Sequence, residues 1–428
     1  MEKVFVYQIG CGKFGSIFLE RIFEVAKNFE KAKIEVKGVA EVKKECREKA
    51  KSIAKKFGKS IDVFVHTFEM YKKAFELKNK GKVIIYDASP SHLHFSHIFK
   101  SLVHDFYHLS EKPPYMNEEE KKKLEKLNKS FLWSCDLIEI ENPAVVTALE
   151  YVKNHNLKIY EIKCFRFSST GIKKLIDPFH RIGVEGGCLL DKAIHEAYLV
   201  KFAEICGYDI KEWKINEVNG IYAISSLHNP KFINIYGKKQ EKLHQDTALA
   251  QAAVKGVLDK IDFEISCGWY GVSEKIKKFL HENYKNIFSK VLVSKIVSFN
   301  NKKIIDEELR LFILKAKNRT KDIELIGDMK NFQLFLKEED KISKLPLLPL
   351  EHDQIYRIFK KFVEHCLGIS EFPIKKEYID FIMELIFQAR KLVYEKNKDL
   401  DKNQILNRTL DVLKKKSEML KNYPLQIS

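Results

Sequence analysis

Several short motifs in the N-terminal third contain residue types that could hold a cofactor. Gly10, Gly12 and Gly15 form a G-x-G-x-x-G turn directly after an apolar run and at the start of a helical pattern. The first glycine permits a tight turn, the second lets a pyrophosphate approach the backbone, and the third lets the helix pack on the strand. The turn predicts a dinucleotide site at a helix N-terminus, where Lys13 and Phe14 follow. A tight turn without a ligand is the alternative.

An acidic residue at the end of the second apolar run could choose between the two nicotinamide dinucleotides. Glu41 stands where a carboxylate can accept hydrogen bonds from both ribose hydroxyls and repel a 2′-phosphate. This position favours NAD. Lys43 and Lys44 follow it and could instead pair with the 2′-phosphate of NADP, so both cofactors stay open.

Three further short motifs follow along the chain, and the second and third contain residue types that could take part in the oxidation of an alcohol. They are Ser89, Pro90 and His94; Glu111, Lys112 and Pro113; and Gly186, Gly187, Asp191 and His195. Removal of a hydride from carbon requires removal of a proton from oxygen, and histidine titrates near neutrality. A lysine can stabilise the developing alkoxide, and because a positive nicotinamide nearby would lower its pKa, the lysine and the histidine could exchange roles. Asp191 and His195 have i, i+4 spacing, which predicts one shared face of an α-helix; an ordinary surface pair is the alternative.

In this order and spacing, the glycine turn, the Glu-Lys-Pro segment and the Gly-Gly segment with Asp-x-x-x-His resemble the glucose-fructose oxidoreductase, inositol dehydrogenase and MocA family of two-domain dehydrogenases. The resemblance covers residues 1–140 and continues to about Leu199. It implies NAD(P)-dependent hydride transfer between nicotinamide and a secondary alcohol or ketone of a sugar-like or cyclitol-like substrate. It implies a reactive centre of Lys112, Asp191 and His195. The implied cofactor contacts are Gly10, Gly12, Lys13, Phe14, Gly15, Glu41, Ser89, Pro90, His94, Glu111 and Lys112.

Two positions depart from the family's pattern and concern the expected substrate pocket. Asp105 stands six residues before Glu111, where the family commonly has Gly, and residues 139–142 replace a segment that often carries Arg. His180 and Arg181 could contact a polar substrate or could be solvated loop residues. Two other functions stay open: a glycosidase that uses tightly held NAD for transient oxidation, and a non-catalytic regulator that senses the cofactor.

Alternating apolar runs and helical periodicity predict the elements that position these motifs. Predicted strands of the first part are 4–9, 34–40, 62–65, 83–86, 106–109 and 131–140. Because parallel strands need crossovers, they predict an α/β Rossmann domain with a parallel doubly wound sheet over residues 1–140.

After residue 158, strand-like segments predominate. They are 158–166, 215–225, 232–236, 263–269, 291–299 and 309–315. They predict an α+β domain over residues 141–428 for substrate binding and oligomerisation, with a large, mostly antiparallel open sheet and C-terminal helices near 352–367, 375–396 and 401–421. Because an open sheet must cover its apolar face, a homodimer or homotetramer is expected.

Composition argues against several classes of function. The net charge of +17 comes from 76 Lys and Arg, of which only 9 are Arg, and lysines spread among glutamates are typical of solvated helix faces. Nucleic-acid binding is therefore not favoured. Eight cysteines without a C-x-x-C pair predict reduced thiols. No apolar run approaches the roughly 18 residues of a bilayer span, so a soluble cytoplasmic protein without a membrane partner is expected.

Two groups of residues invite more specific interpretations. A dense set of histidines could suggest a metal site: His92, His94, His97, His104 and His108. They are expected to scatter over a loop and a crossover helix, with no Cys or carboxylate at standard spacing, so no metal is predicted. Trp269 and Tyr270 could form a sugar platform, but a core position at a strand end is favoured.

Overall fold

The computed structural model describes residues 1–168, 187–224, 247–269, 271–299, 302–319, 321–400 and 404. Over these residues the chain divides into two compact units. The first unit comprises Met1–Glu141 and Pro349–Ile379, and the second comprises Asn142–Leu348 and the chain from Asp380 onward. Residues 349–379, which the sequence analysis placed in the second domain, thus pack within the first unit. The roles of the two domains stay predictions.

The first unit contains a parallel six-stranded sheet of order β3-β2-β1-β4-β5-β6. Its strands are β1 (Lys3–Ile9), β2 (Lys33–Ala40), β3 (Asp62–Phe64), β4 (Lys82–Asp87), β5 (Tyr107–Ser110) and β6 (Trp133–Cys135). Its crossover helices are α1 (Lys13–Asn28), α2 (Lys44–Lys56), α3 (Thr67–Phe75), α4 (Ser91–Val103) and α5 (Glu118–Lys126). Nearly continuous apolar strands suit a sheet that is covered on both faces. The predicted Rossmann fold is confirmed.

The second unit contains a larger, mostly antiparallel sheet. Its strand order is β15-β14-β13-β12-β7-β10-β9-β8, with β11 paired to β12. The strands are β7 (Lys158–Phe167), β8 (Trp213–Ile224), β9 (Thr247–Leu258), β10 (Ile261–Gly268), β11 (Val293–Phe299), β12 (Lys302–Lys317), β13 (Asp322–Asp328), β14 (Gln333–Glu338) and β15 (Lys341–Leu345). Only the β7–β10 pair is parallel among the described pairs. The predicted α+β class is confirmed.

Helices of the second unit pack on this sheet, and two further helices, α10 and α11, follow β15 in the chain. They are α6 (Pro143–Asn154), α7 (Gly187–Lys192), α8 (Tyr198–Ile205), α9 (Glu274–Val291), α10 (Gln354–Cys366) and α11 (Lys376–Asn397). α10 lies in the first unit, whereas α11 continues into the second. The predicted segments 232–236 and 401–421 lie outside the described residues, apart from Gln404.

The sequence analysis missed α9. Its buried side chains, Leu280, Tyr284, Ile287 and Val291, recur at spacings of four and three, as an amphipathic helix requires. They pack against Phe165 and Phe167 of β7 and against apolar residues of β12 to β14. One apolar part of the sheet is therefore covered within the chain.

The remainder of the same sheet face carries charge. Lys163 is two residues before Phe165 and so points to the same side of β7. Across the strands, Glu217 faces Lys255, Lys255 faces Glu264, and Glu264 faces Lys163. The charge alternates along this row, and the Lys255 Nζ lies 3.4 Å from a carboxylate oxygen of Glu217. Self-association stays a prediction, but on this part of the face it would bring charged rows together.

The prediction of a strand over 131–140 was too long. Only β6 is extended, between 3₁₀ turns at Ser130–Leu132 and Ile138–Glu141. β6 is the edge strand and pairs with β5 over only three residues. The chain then turns so that the buried carboxylate of Glu141 reaches Lys361 of α10 at 2.7 Å.

The two unusual positions of the sequence have simple structural accounts. Asp105 has φ +59, so it adopts the left-handed conformation that glycine adopts most easily. Its carboxylate pairs with Lys78 at 2.7 Å and with Lys129 at 2.5 Å. In the other segment, Glu141 accepts a hydrogen bond from Arg357 of α10.

None of the helices in the described ranges combines the length and apolar sequence of a bilayer-crossing segment.

Candidate active site

The glycine turn has the three spatial properties that its sequence predicts. Gly10 has φ +80, and a Cβ there would lie 2.6 Å from the carbonyl oxygen of Ala88. A Cβ on Gly15 would lie 2.6 Å from the Gly10 carbonyl oxygen. A Cβ on Gly12 would have no neighbour within 4 Å among the described residues. The turn is thus tightly packed at both ends and open at Gly12, as an approaching pyrophosphate requires.

Gln8 braces this turn, and the sequence analysis missed it. Its side chain is fully buried, and Nε2 donates to the carbonyl oxygens of Gly10 and Gly15, each at 2.7 Å. One amide therefore joins the two ends of the turn. Lys13 and Phe14 begin α1, with Gly12 as a helix cap that provides no side-chain acceptor. The first backbone N–H groups of a helix lack intrahelical acceptors and favour an anion.

Glu41 lies beside the glycine turn. One oxygen of its carboxylate accepts the backbone N–H of Cys11 at 2.8 Å, and the other accepts the N–H of Lys43 at 2.9 Å. Arg47 donates to the Glu41 carbonyl oxygen at 2.8 Å. These contacts fix the carboxylate, while each oxygen retains capacity for another donor. The structure therefore brings together the two motifs expected to bind the adenosine half of a dinucleotide.

Replacement of Glu41 by Ser should shift cofactor preference toward NADPH. The change removes an acceptor for ribose hydroxyls and a negative charge that repels a 2′-phosphate. The ratio of the two dissociation constants should move by roughly tenfold to a hundredfold, the scale of a hydrogen bond to a charged group. Calorimetric titration with NADH and NADPH measures it. Glu45→Ser, on the exposed first turn of α2, is the control; an unchanged ratio in Glu41→Ser would show that another residue reads the ribose.

The loop after β4 is held by a buried carboxylate. Asp87 accepts the backbone N–H of Ser89 at 2.9 Å and lies 2.8 Å from Nδ1 of His97. Burial tends to raise the pKa of Asp87, but the charges of His97, His94 and His108 outweigh it and hold this pKa well below its usual range. The Ser89-Pro90 segment is therefore held in place by a hydrogen bond to an ionised carboxylate.

His94 connects two of the predicted motifs. Its Nε2 lies 2.8 Å from the carbonyl oxygen of Ser89, and its Nδ1 lies 2.8 Å from the carbonyl oxygen of Pro113. The ring is almost completely buried. His94 thus joins the loop after β4 to the Glu-Lys-Pro segment, where the Lys112–Pro113 peptide bond is cis. Its observed contacts are structural ones.

The buried carboxyl group of Asp136 lies beside the half-buried carboxyl group of Glu111, the residue before Lys112. Glu111 and Asp136 interact with each other, and the Tyr86 hydroxyl oxygen lies 3.4 Å from an oxygen of each, so that it can donate to either. Burial raises the pKa of Asp136 well above its usual range and also raises the pKa of Glu111. The protonated form of Asp136 is therefore favoured, and in that form it can donate to Glu111. No local pattern in the sequence indicates this pair, because the two residues come from different strand ends.

The two buried acids Asp87 and Asp136 should affect stability in opposite ways. Asp87 has a lowered folded-state pKa, so its contribution is present above the unfolded pKa and is lost as the pH falls through the folded value. Asp136 has a raised folded-state pKa, so its contribution to stability is present below the unfolded pKa and is lost as the pH rises. Asp87→Asn should cost about 3 kcal/mol at neutral pH. Asp136→Asn should become increasingly stabilising, relative to the unchanged protein, as the pH rises above the unfolded pKa of an aspartate toward the raised folded one.

Urea unfolding followed by circular dichroism at pH 5, 7 and 9 measures both changes. Asp87→Asn should be less stable than the unchanged protein at all three pH values, since the folded-state pKa of Asp87 lies below this range. Equal signs for the two variants at pH 9 would contradict the assignment of a lowered folded-state pKa to one acid and a raised one to the other.

In the second unit, α7 is pressed against the sheet. Gly187 has φ +56, and a Cβ there would lie 2.3 Å from the carbonyl oxygen of Leu249 on β9. The Cys267 thiol of β10 donates to the Cys188 carbonyl oxygen at 3.5 Å. The second glycine of the Gly-Gly motif therefore allows this helix to approach the strands.

The expectation that Asp191 and His195 share one face of an α-helix is wrong. α7 ends at Lys192, and Ala193–Ala197 is a 3₁₀ helix. Each residue of a 3₁₀ helix advances by about 120°, so residues i and i+4 diverge more than in an α-helix. Asp191 is buried and His195 is partly exposed.

A buried ion pair anchors the residue after His195. Glu196 is fully buried, and its carboxylate accepts a hydrogen bond from Nε of Arg166 on β7 at 2.6 Å. A buried pair of this kind holds its segment in place because removal of either partner leaves a buried charge. The sequence contains only a weak signal for this pair, because Arg166 and Glu196 are each a charged residue within an apolar pattern.

His180 and Arg181 lie outside the described residues, as do Gly186 and Tyr270. Across the described parts of the chain, no group of three or more His, Cys, Asp or Glu side chains could hold a metal ion. Lys112 lies in the first unit, whereas Asp191 and His195 lie in the second.

The two units define a two-domain fold with a Rossmann domain and a large, mostly antiparallel sheet, and solved structures share it. The chain is similar to UDP-N-acetylglucosamine 3-dehydrogenase from Acidithiobacillus ferrooxidans, with 11% identity, coverage of 92% of this chain and 99% of that chain, and a TM-score of 0.58. It is also similar to levoglucosan dehydrogenase in complex with NADH and levoglucosan, with 14% identity, coverage of 92% of this chain and 98% of that chain, and a TM-score of 0.59. An oxidoreductase from Sinorhizobium meliloti has 14% identity, coverage of 93% of this chain and 98% of that chain, and a TM-score of 0.56.

No protein-family model matches the sequence, and no curated protein matches it. At these low identities the likeness establishes the fold. The fold that the sequence resemblance implied is thereby confirmed.

Proposed function

We propose that this protein is an NAD(P)-dependent oxidoreductase that acts on a CH–OH group of a sugar-like or cyclitol-like substrate, with NAD preferred. The carrying observation is the glycine turn, which is open at Gly12 and has the Glu41 carboxylate fixed beside it. These residues fit the pyrophosphate and the adenosine ribose of a dinucleotide. Levoglucosan dehydrogenase, which has this fold, forms a complex with NADH and levoglucosan, and this supports the cofactor and the substrate class.

The chemistry is divided between the bound cofactor and the residues of the chain. When bound, the nicotinamide accepts or supplies the hydride. His195 removes the proton from the reacting hydroxyl, and its partial exposure leaves it accessible to a substrate. Lys112 stabilises the developing alkoxide as a cation. Asp191 orients His195 or holds a substrate hydroxyl.

A substrate screen tests this proposal. Sugars, inositols and nucleotide sugars are incubated with NAD or NADP, and absorbance of the reduced nicotinamide is followed. Substrate-dependent accumulation of NADH or NADPH is expected. Turnover of a glycoside without net reduced cofactor would identify the NAD-dependent glycosidase instead. Tight cofactor binding without turnover on any substrate would favour the cofactor-sensing regulator.

We also propose that the protein forms a homodimer or homotetramer. α9 and the charged row described above limit the apolar area that this part of the sheet could contribute. Light scattering at micromolar concentration measures the assembly, and a monodisperse species near the chain mass of 50.1 kDa would contradict it.

A further inference from the structure

A buried hydrogen bond joins the end of β10 to the helix that carries Asp191. Trp269 directly follows β10, is fully buried, and donates from its indole Nε1 to Oδ2 of Asp191 at 2.9 Å. Burial of Trp269 agrees with the predicted position in the core. The polar contact was not expected, because the two residues are 78 positions apart in the chain.

Both partners of this bond are held by their surroundings. The backbone N–H of Trp269 donates to the carbonyl oxygen of Ala250 on β9 at 2.8 Å. On the other side, the approach of Gly187 to Leu249 holds α7 against the same strand. An indole has one N–H and no acceptor, so in this buried place it has a single direction in which to donate. Because the backbone of Trp269 is bonded to β9, the sheet determines where its indole N–H points.

The same short segment is anchored a second time after Asp191. The Arg166–Glu196 ion pair holds the 3₁₀ helix to β7, one residue beyond His195. Asp191 and Glu196 are thus attached to two strands, and His195 lies between them. A segment attached at both ends holds an intervening side chain better than a surface helix does.

We propose that Trp269 is a positioning residue for the reaction: its indole N–H holds the Asp191 carboxylate in one orientation, so that Asp191 can orient His195 or a substrate hydroxyl. This inference rests on the proposed function and adds a residue to it. Trp269 acts through Asp191, as a buried donor, and the sugar-platform interpretation is not needed.

The first test is kinetic. Trp269→Phe keeps an aromatic ring but removes the donor, and it should lower kcat by roughly tenfold to a hundredfold because a misplaced reacting group is costly. NADH affinity should be unchanged, and the near-neutral limb of the pH profile should move. A residue with only a packing role would lower the active fraction without moving that limb. Trp213→Phe, whose ring packs on Phe381 of α11, is the matched control and should retain normal kinetics.

A double variant tests whether the two residues act together. If Trp269 works through Asp191, Trp269→Phe combined with Asp191→Asn should be no slower than Asp191→Asn alone. Multiplicative losses would overturn the proposal, since they would show independent roles.

An activity-independent readout tests the bond itself. The chain has three tryptophans, Trp133, Trp213 and Trp269, so a ¹⁵N-correlated NMR spectrum should show three indole N–H signals. Asp191→Asn should move the Trp269 signal and leave the other two in place. Trp133→Phe and Trp213→Phe assign the spectrum by elimination, even if Trp269→Phe does not fold. An unmoved Trp269 signal would overturn the proposal.

The outcomes also separate this inference from the proposed function. Normal kcat and an unmoved pH limb in Trp269→Phe, with an active parent protein, would overturn the positioning role alone. Absence of NADH binding and of turnover in the parent protein would overturn the proposed function and the positioning role with it.

Discussion

Lys112→Ala and His195→Ala should each lower turnover by roughly 10²- to 10⁴-fold, the usual scale for acid–base and electrostatic catalysis. The first variant loses a cation for the developing alkoxide, and the second loses the base that takes the hydroxyl proton. The pH profile of alcohol oxidation should rise through one ionisation near neutrality. That limb should shift or vanish in His195→Ala if His195 is the base, and in Lys112→Ala if the lysine is.

Cofactor binding provides the internal control for these variants. His195→Ala should bind NADH normally, because His195 belongs to the second unit. Lys112→Ala should bind it somewhat more weakly, since the resemblance implies that this lysine lies beside the nicotinamide ribose. Lys126→Ala and His155→Ala, both at exposed positions, are matched controls. Near-normal turnover by both site variants would remove the catalytic assignment of Lys112 and His195.

Features that depend on neighbours in the sequence could be predicted. The glycine turn, the strands of the first sheet and the N-terminus of α5 are of this kind. At that N-terminus, the Asn117 side chain caps the helix and accepts the backbone N–H of Glu120 at 2.9 Å. Cap residues and their acceptors are a few positions apart, so a single sequence contains the whole signal.

Features that depend on distant contacts could not be predicted. Gln8 is an ordinary polar residue in a strand until the turn folds around its amide, and Asp136 meets Glu111 only when two strand ends become neighbours. Asp191 and His195 fit an α-helix by spacing, but the chain changes to a 3₁₀ helix at Ala193. Tertiary packing decides such changes, because the difference in local preference is small.

The replacement Gly12→Val gives the clearest separation between cofactor binding and folding. Gly12 has φ −65, which any residue adopts, and its Cβ position has no neighbour within 4 Å among the described residues. The folded protein can therefore hold a valine there. The same side chain would fill the space that a pyrophosphate needs and block the helix N-terminus. NADH affinity should fall by roughly 10²-fold or more, equivalent to about two lost hydrogen bonds to a charged group.

Gly15→Val is the contrasting variant, because the two glycines differ in their surroundings and not in their motif. A Cβ on Gly15 would lie 2.6 Å from the Gly10 carbonyl oxygen and 3.1 Å from the Ala88 Cβ, so this variant should lose about 1–3 kcal/mol of stability through overpacking. Thermal unfolding should then be unchanged in Gly12→Val and lowered in Gly15→Val, while calorimetry shows that Gly12→Val, still folded, no longer binds NADH. Undiminished binding by a folded Gly12→Val would mean that no pyrophosphate approaches this turn, and the dinucleotide assignment would be lost with it.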